Sequence, residues 1–141
     1  LKYKGRKNAD ELGKLIKELR IEIECIWSSP VKRGKQTSMI IVEENKLSIH
    51  CDKSLYSTDY NGLRQFMNCL NDDLDLILIV GHEPSLSSFT NHFLTKPLPK
   101  LVTASSTSFK IETRSWKDIH RNNISTIFHR NRHDWQGSPL Q

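Results

Sequence analysis

Two short stretches of this chain place chemically capable residues where an anion can be held. The first is Trp27-Ser28-Ser29-Pro30-Val31-Lys32-Arg33, which ends a short apolar run. The second is Ile79-Val80-Gly81-His82-Glu83-Pro84, which ends the longest one. Both read as a buried strand, a sharp polar turn and a helix start. At such a junction, unpaired backbone amides and the positive end of the helix dipole favour a negative ligand. In open parallel sheets, ligands collect at the carboxyl ends of the strands.

Arg33 stands in the first turn of its helix, where the dipole disfavours a cation by a few tenths of a kcal/mol. An oxyanion between its guanidinium and the amides reverses that sign, and the planar fork matches two phosphate oxygens. The alternative is a solvated arginine beside Lys32 and Lys35. His82 follows Gly81, which admits close backbone approach, so its imidazole can meet a ligand directly. The alternative there is a capping or core histidine. Ser28 and Ser29 offer hydroxyl or amide donors, and Ser29 followed by Pro30 reads first as a helix cap.

The elements that position these residues follow from hydrophobic spacing. Leu12, Leu15, Ile16 and Leu19 predict an amphipathic helix over 5–20, and Glu24 to Ser28 a buried strand. A helix over 31–44 and a weak strand over 47–50 come next, then a loop with Leu55, Tyr56 and Tyr60. Leu63, Phe66, Met67 and Leu70 predict a helix over 61–71. The run 75–80, apolar on both faces, predicts a central parallel strand, and a helix over 85–94 follows. Pro97 and Pro99 mark a connection. Residues 107–111 and 124–128 predict two strands around a turn at 120–123, and residues 130–141 a polar, frayed tail. Helix and strand alternate through the first two thirds, which predicts a layered α/β sheet in a single domain over 1–141.

Composition narrows the functional classes. Five consecutive apolar residues, Leu76 to Val80, fall far short of the ~20 that cross a bilayer, and no membrane role is expected. Cys25, Cys51 and Cys69 are odd in number and lack CxxC spacing, so neither a disulfide framework nor a zinc site is expected. With no secretory signal pattern at the start, the expected setting is the reducing cytoplasm. The net charge of +5 favours an anionic partner. It is split between the ends: residues 1–46 carry 11 Lys/Arg and 7 Asp/Glu, residues 47–109 carry 4 and 6, and residues 110–141 carry 6 and 3. No recognition helix or aromatic platform accompanies it, so nucleic acid is not the expected partner.

The order of the two junctions resembles a known family. Ser28-Ser29-Pro30 with Arg33 and Thr37, followed by Val80-Gly81-His82-Glu83-Pro84, is similar to the histidine phosphatase superfamily, in particular its small SixA-like phosphohistidine phosphatases. Residues 1–14 resemble that family's first helix start, Leu55-Tyr56 its middle loop, and 109–119 a late strand. The resemblance implies a three-layer α/β/α fold of the phosphoglycerate mutase-like type with a mostly parallel sheet. It implies that Arg33 binds the phosphoryl group and that His82 donates to the transferring oxygens as a catalytic residue; beside them Ser28 or Ser29, Ser29 being the expected phosphate-binding one, offers a further donor in addition to its capping duty. No metal or other cofactor is implied, since arginine and histidine supply the positive charge. The implied substrate is a phosphorylated protein, such as a phosphorelay histidine domain, or a small phosphorylated molecule.

One part of the family pattern is missing. The family's nucleophile is the histidine of an Arg-His-Gly motif on a first strand preceding the region matched by Leu1, and these residues contain no such motif. Without the attacking group, covalent phosphoryl transfer stops. Arg132-His133 is the only Arg-His pair, but Asp134 follows where glycine is required. Ser57 stands where relatives often carry a proton-donating glutamate. A phosphohistidine leaving group tolerates that loss better than an ester, which leans substrate choice toward phosphohistidine. The chain opens on Leu1 and not Met, so a fragment or displaced start of an active phosphatase is the first expectation; a non-catalytic phosphoprotein-binding relative is the second. Loss of a strand inside the sheet leaves backbone groups unpaired, and the expected consequence is low stability or an adhesive sheet edge.

Overall fold

The computed structural model describes residues 3–45, 47–56, 59–82, 85–92, 106–120, 122–131 and 134–136. The chain divides into two compact units, Leu1–Ser57 with Asp73–His82, and Thr58–Asp72 with Glu83–Gln141. The first contains α1 (Tyr3–Glu18), β1 (Cys25–Ser28), α2 (Lys32–Asn45), β2 (Ser48–Cys51) and β3 (Ile77–Val80). Its sheet has the order β2-β1-β3 with both pairings parallel, as the helix–strand alternation requires.

The core of this unit is the helix-facing side of that sheet. Ile16 of α1, Ile26 of β1 and Ile41 of α2 are buried together, with Leu12, Ile21, Ile23, Val42, Leu47, Leu78 and Val80 packed around them. The amide of Asn45 donates to the carbonyl of Gly13 at 3.1 Å and ties the end of α2 to α1. The first helix ends two residues before the spacing predicts. Arg20 adopts φ 54°, the left-handed conformation. Its N–H reaches the carbonyl of Lys17 while that of Ile21 reaches Ile16, both at 3.1 Å, the Schellman pattern that closes a helix.

The position of β3 differs from the expectation. Among the described residues it is parallel but pairs with β1 alone, and β1 is the strand paired on both sides. Burial agrees: Cys25, Ile26 and Ser28 are buried, whereas Ile77 to Val80 are only partly covered. Uniform apolarity reports the demand for cover on both faces, not the place of a strand in the order.

The second unit contains α3 (Tyr60–Asn68), α4 (Ser85–Asn91), β4 (Ser106–Ile111), β5 (Ile124–Asn131) and β6 (Asp134–Gln136), the strands antiparallel in the order β4-β5-β6. Asp59 caps α3 by accepting from the N–H of Gly62 at 2.9 Å. Leu63, Met67, Leu70, Phe89, Ile119 and Ile124 are buried here. The phenyl ring of Phe89 meets Phe109 edge-on at 5.3 Å. The carboxylate of Asp72 accepts from the hydroxyl of Ser115 and from the N–H of Trp116, holding the turn at Ser115.

The expected frayed tail needs correction over part of its length. Arg130 and Asn131 belong to β5, and Asp134–Gln136 returns to pair with His129–Asn131. Backbone pairing closes such a hairpin without an apolar pattern, which is why polarity alone misreads it. Pro97, Pro99, Arg132, His133 and residues 137–141 lie outside the described residues. Among those described, no helix is long and apolar enough to cross a membrane.

Candidate functional site

Parallel pairing of β1 with β3 brings the two junctions together. The register sets Ser28 opposite Val80, so both strands end at the same level. The N–H of Ser29 then donates to the carbonyl of Val80 at 3.0 Å, carrying the ladder one residue past the strand. Immediately beyond, Nε2 of His82 lies 2.8 Å from Oγ of Ser29. That oxygen also accepts from the N–H of Val31 at 3.2 Å, so Ser29 performs the capping duty its sequence position predicts while touching His82. Ser29 is fully buried.

The start of α2 sits close against this turn. A side-chain carbon added at Gly34 would lie 3.2 Å from both Oγ of Ser28 and the carbonyl oxygen of Ser29. Glycine at this position therefore lets the helix approach the strand end, and its amides with it. Oγ of Ser28 donates to the carbonyl of Ser29 at 2.9 Å, and Ser28 is also fully buried; its hydroxyl is committed to the turn. Arg33, in the first turn of α2, is exposed.

Arg33 and His82 sense one another electrostatically. Burial pushes the imidazole of His82 below the ordinary histidine value of 6.5, and the positive charge of Arg33 lowers it further. At neutral pH both effects favour the neutral imidazole beside the guanidinium. A dianion placed between them removes the Arg33 repulsion and favours the imidazolium.

A pH dependence follows. Without a ligand, His82 resists a proton that the unfolded chain accepts near 6.5, so the unfolded state binds more protons as pH falls below that value. This contribution to stability is present above pH 6.5, is lost as pH falls toward the depressed value, and changes no further below it. Sulfate, a dianion throughout this range, is expected to bind more tightly as pH falls from 8 to 5, with proton uptake visible as a buffer-dependent heat in calorimetry. His82→Gln should remove that uptake; its persistence would assign the proton elsewhere.

One neighbour of the site carries no role in the sequence reading. Tyr56 contacts the ring of His82 in a T-shaped arrangement, with centroids 5.7 Å apart and planes at 74°. The segment after β2 crosses the carboxyl end of β1 to reach it: the N–H of Asp52 donates to the carbonyl of Ser28 at 3.0 Å. A single 3-10 turn, Lys53–Leu55, follows. An aromatic residue in a loop just after a strand is the available signal, but only the strand order puts that loop beside His82.

Two further histidines pack against aromatic rings. His50 stacks on Trp27 at 4.8 Å as a cross-strand pair of β2 and β1. His92 stacks on Tyr60 at 3.7 Å in the second unit, where Phe89 also packs on that ring. Cys25 is buried, and burial, then the charge of Glu24, pushes its thiol up, away from reactivity. Among the described residues, no group of three His, Cys, Asp or Glu is placed to hold a metal ion.

Known proteins resemble this chain over part of its sequence and in its fold. Residues 1–67 match the model of the histidine phosphatase superfamily, branch 1. No curated protein matches the chain in sequence. A solved structure assigned as the phosphohistidine phosphatase SixA of Nakamurella multipartitia superposes with a TM-score of 0.81 at 14% identity, covering 93% of this chain and 83% of that one. The protein histidine phosphatase SixA complexed with tungstate gives 0.78 at 18% identity, over 94% and 83% of the two chains. A phosphoglycerate mutase from Plasmodium falciparum gives 0.56 at 22% identity, over 69% and 71%. Over its first 67 residues the chain is similar in sequence to the histidine phosphatase superfamily, and its α/β fold is the one seen in the solved SixA structures.

Proposed function

We propose that the carboxyl end of β1 and β3 binds a phosphoryl group, and that the activity of the lineage is its hydrolysis from a protein phosphohistidine. The observation that carries this reading is the convergence of Ser29 and His82 at 2.8 Å beside the amide-rich start of α2 and Arg33. The amides and Arg33 grip the non-bridging oxygens, and His82 donates to an oxygen as charge develops on it. Ser29 holds Nε2 of His82 in place. The solved SixA structure with bound tungstate, an oxyanion of the same geometry, supports a phosphoryl ligand. The absence of glutamate at Ser57 favours a nitrogen-linked leaving group, which needs little acid help.

The 141 residues hold the gripping half of such a site and no Arg-His-Gly motif, which favours binding without turnover by these residues alone. The test presents this chain with a phosphorelay domain phosphorylated on histidine. Saturable binding of the phosphorylated form with phosphate release at the spontaneous rate is expected. Release well above that rate would overturn the assignment of the nucleophile to a motif outside these residues. No preference for the phosphorylated form would overturn the phosphoryl site.

A further inference from the structure

The loop that reaches His82 from β2 is built rigidly yet ends on an exposed aromatic ring. Leu55 is 2% exposed and anchors it, while the next residue, Tyr56, is 53% exposed. Oδ1 of Asp52 accepts from both the N–H of Ser54 at 2.9 Å and its hydroxyl at 2.6 Å. The N–H groups of Leu55 and Tyr56 donate to the carbonyls of Asp52 and Lys53, which closes the turn beneath the ring. A T-shaped contact uses at most one face of a ring. At least one face of Tyr56 is therefore left open by His82, next to the groups that grip the phosphoryl oxygens.

We propose that Tyr56 is a specificity-determining residue: its open face receives the planar ring attached to the phosphoryl group of the substrate, an imidazole in the case of phosphohistidine. This rests on the phosphoryl site argued above and adds to it the choice of leaving group. A large exposed aromatic side chain held by a buried neighbour and a capped turn is suited to stacking, because little conformational freedom remains to be lost on binding. An aliphatic phosphate carrier finds no such partner and gains only the oxyanion contacts.

The probes are tungstate, methylphosphonate and phenylphosphonate, titrated against the unaltered chain, Tyr56→Ala, Tyr56→Leu and Tyr56→Phe. The unaltered chain is expected to prefer phenylphosphonate over methylphosphonate by about three- to tenfold. Tyr56→Ala and Tyr56→Leu should abolish that preference, Tyr56→Phe should keep it, and tungstate should bind all four alike. Tyr56→Leu keeps an apolar side chain on the loop, so it reports on the ring even if the alanine variant folds poorly. A preference absent from the unaltered chain, or surviving in Tyr56→Leu, overturns the proposal. Equal loss of all three ligands in Tyr56→Leu also overturns it and makes Tyr56 a positioning residue for His82. Failure of tungstate to bind the unaltered chain removes the phosphoryl site itself, and the platform with it.

Discussion

Arg33→Ala should weaken tungstate binding by roughly ten- to a hundredfold, the worth of a charge-assisted, two-pronged contact. The same substitution should leave the folded chain as stable as before, or more stable by a few tenths of a kcal/mol. Arg33 is exposed and stands in the first turn of α2, where the helix dipole disfavours a cation. Opposite signs on binding and stability are the mark of a residue kept for a ligand. Arg33→Lys should recover only part of the affinity, since an ammonium lacks the fork geometry. Calorimetry on the three proteins gives the affinities, and urea denaturation gives the stabilities. A tungstate affinity within twofold of the parent in Arg33→Ala would return the residue to the solvated surface.

The largest effect on stability is expected at Ile26. Its side chain is 0% exposed, in the central strand, with Ile16 and Ile41 buried in the same cluster. Ile26→Ala removes transfer free energy and leaves a cavity that two helices and a sheet cannot fill, for a loss of about 2–5 kcal/mol. Against the ~5–15 kcal/mol typical of folded domains, that is a large fraction. Ile26→Val should cost only about 0.5–1.5 kcal/mol. Because Ile26 lies on the strand that leads directly into Ser28 and Ser29, the alanine variant should also loosen the Ser29–His82 contact. Urea unfolding followed by tryptophan fluorescence measures the first effect, and a loss below 1 kcal/mol would show that this face of the sheet is not packed.

Stability and site are linked because one strand serves both. Ile26 faces the helices, and Ser28 and Ser29 close the same strand with both residues buried. The buried hydroxyls are satisfied locally, Ser28 by the carbonyl of Ser29 and Ser29 by Val31 and His82, so their burial carries no unpaired polar group. Gly34 completes the arrangement by letting α2 come close to that turn.

Much of this was readable along the chain. Helical spacing locates α1 and α2, a short apolar run bounded by polar residues locates β1, and the Ser-Pro pair announces the start of α2. Each signal is local, since the period of a helix or strand is written in neighbouring residues. Arg33 stood out for the same reason: a cation in a first turn conflicts with the dipole of its own helix. What local pattern does not contain is pairing between distant segments. That Ser28 lies opposite Val80, and therefore that Ser29 meets His82, depends on which strands adjoin and in what register. The same holds for Tyr56, brought to His82 by a loop crossing the end of β1, and for His50 on Trp27 across two strands. The order of β3 beside β1 among the described residues and the return of Asp134–Gln136 onto β5 were hidden too, because backbone hydrogen bonds are indifferent to side-chain polarity. Residue types and local spacing thus decided which groups stand at the two strand ends, and the parallel pairing of β1 with β3 decided that they meet at one place.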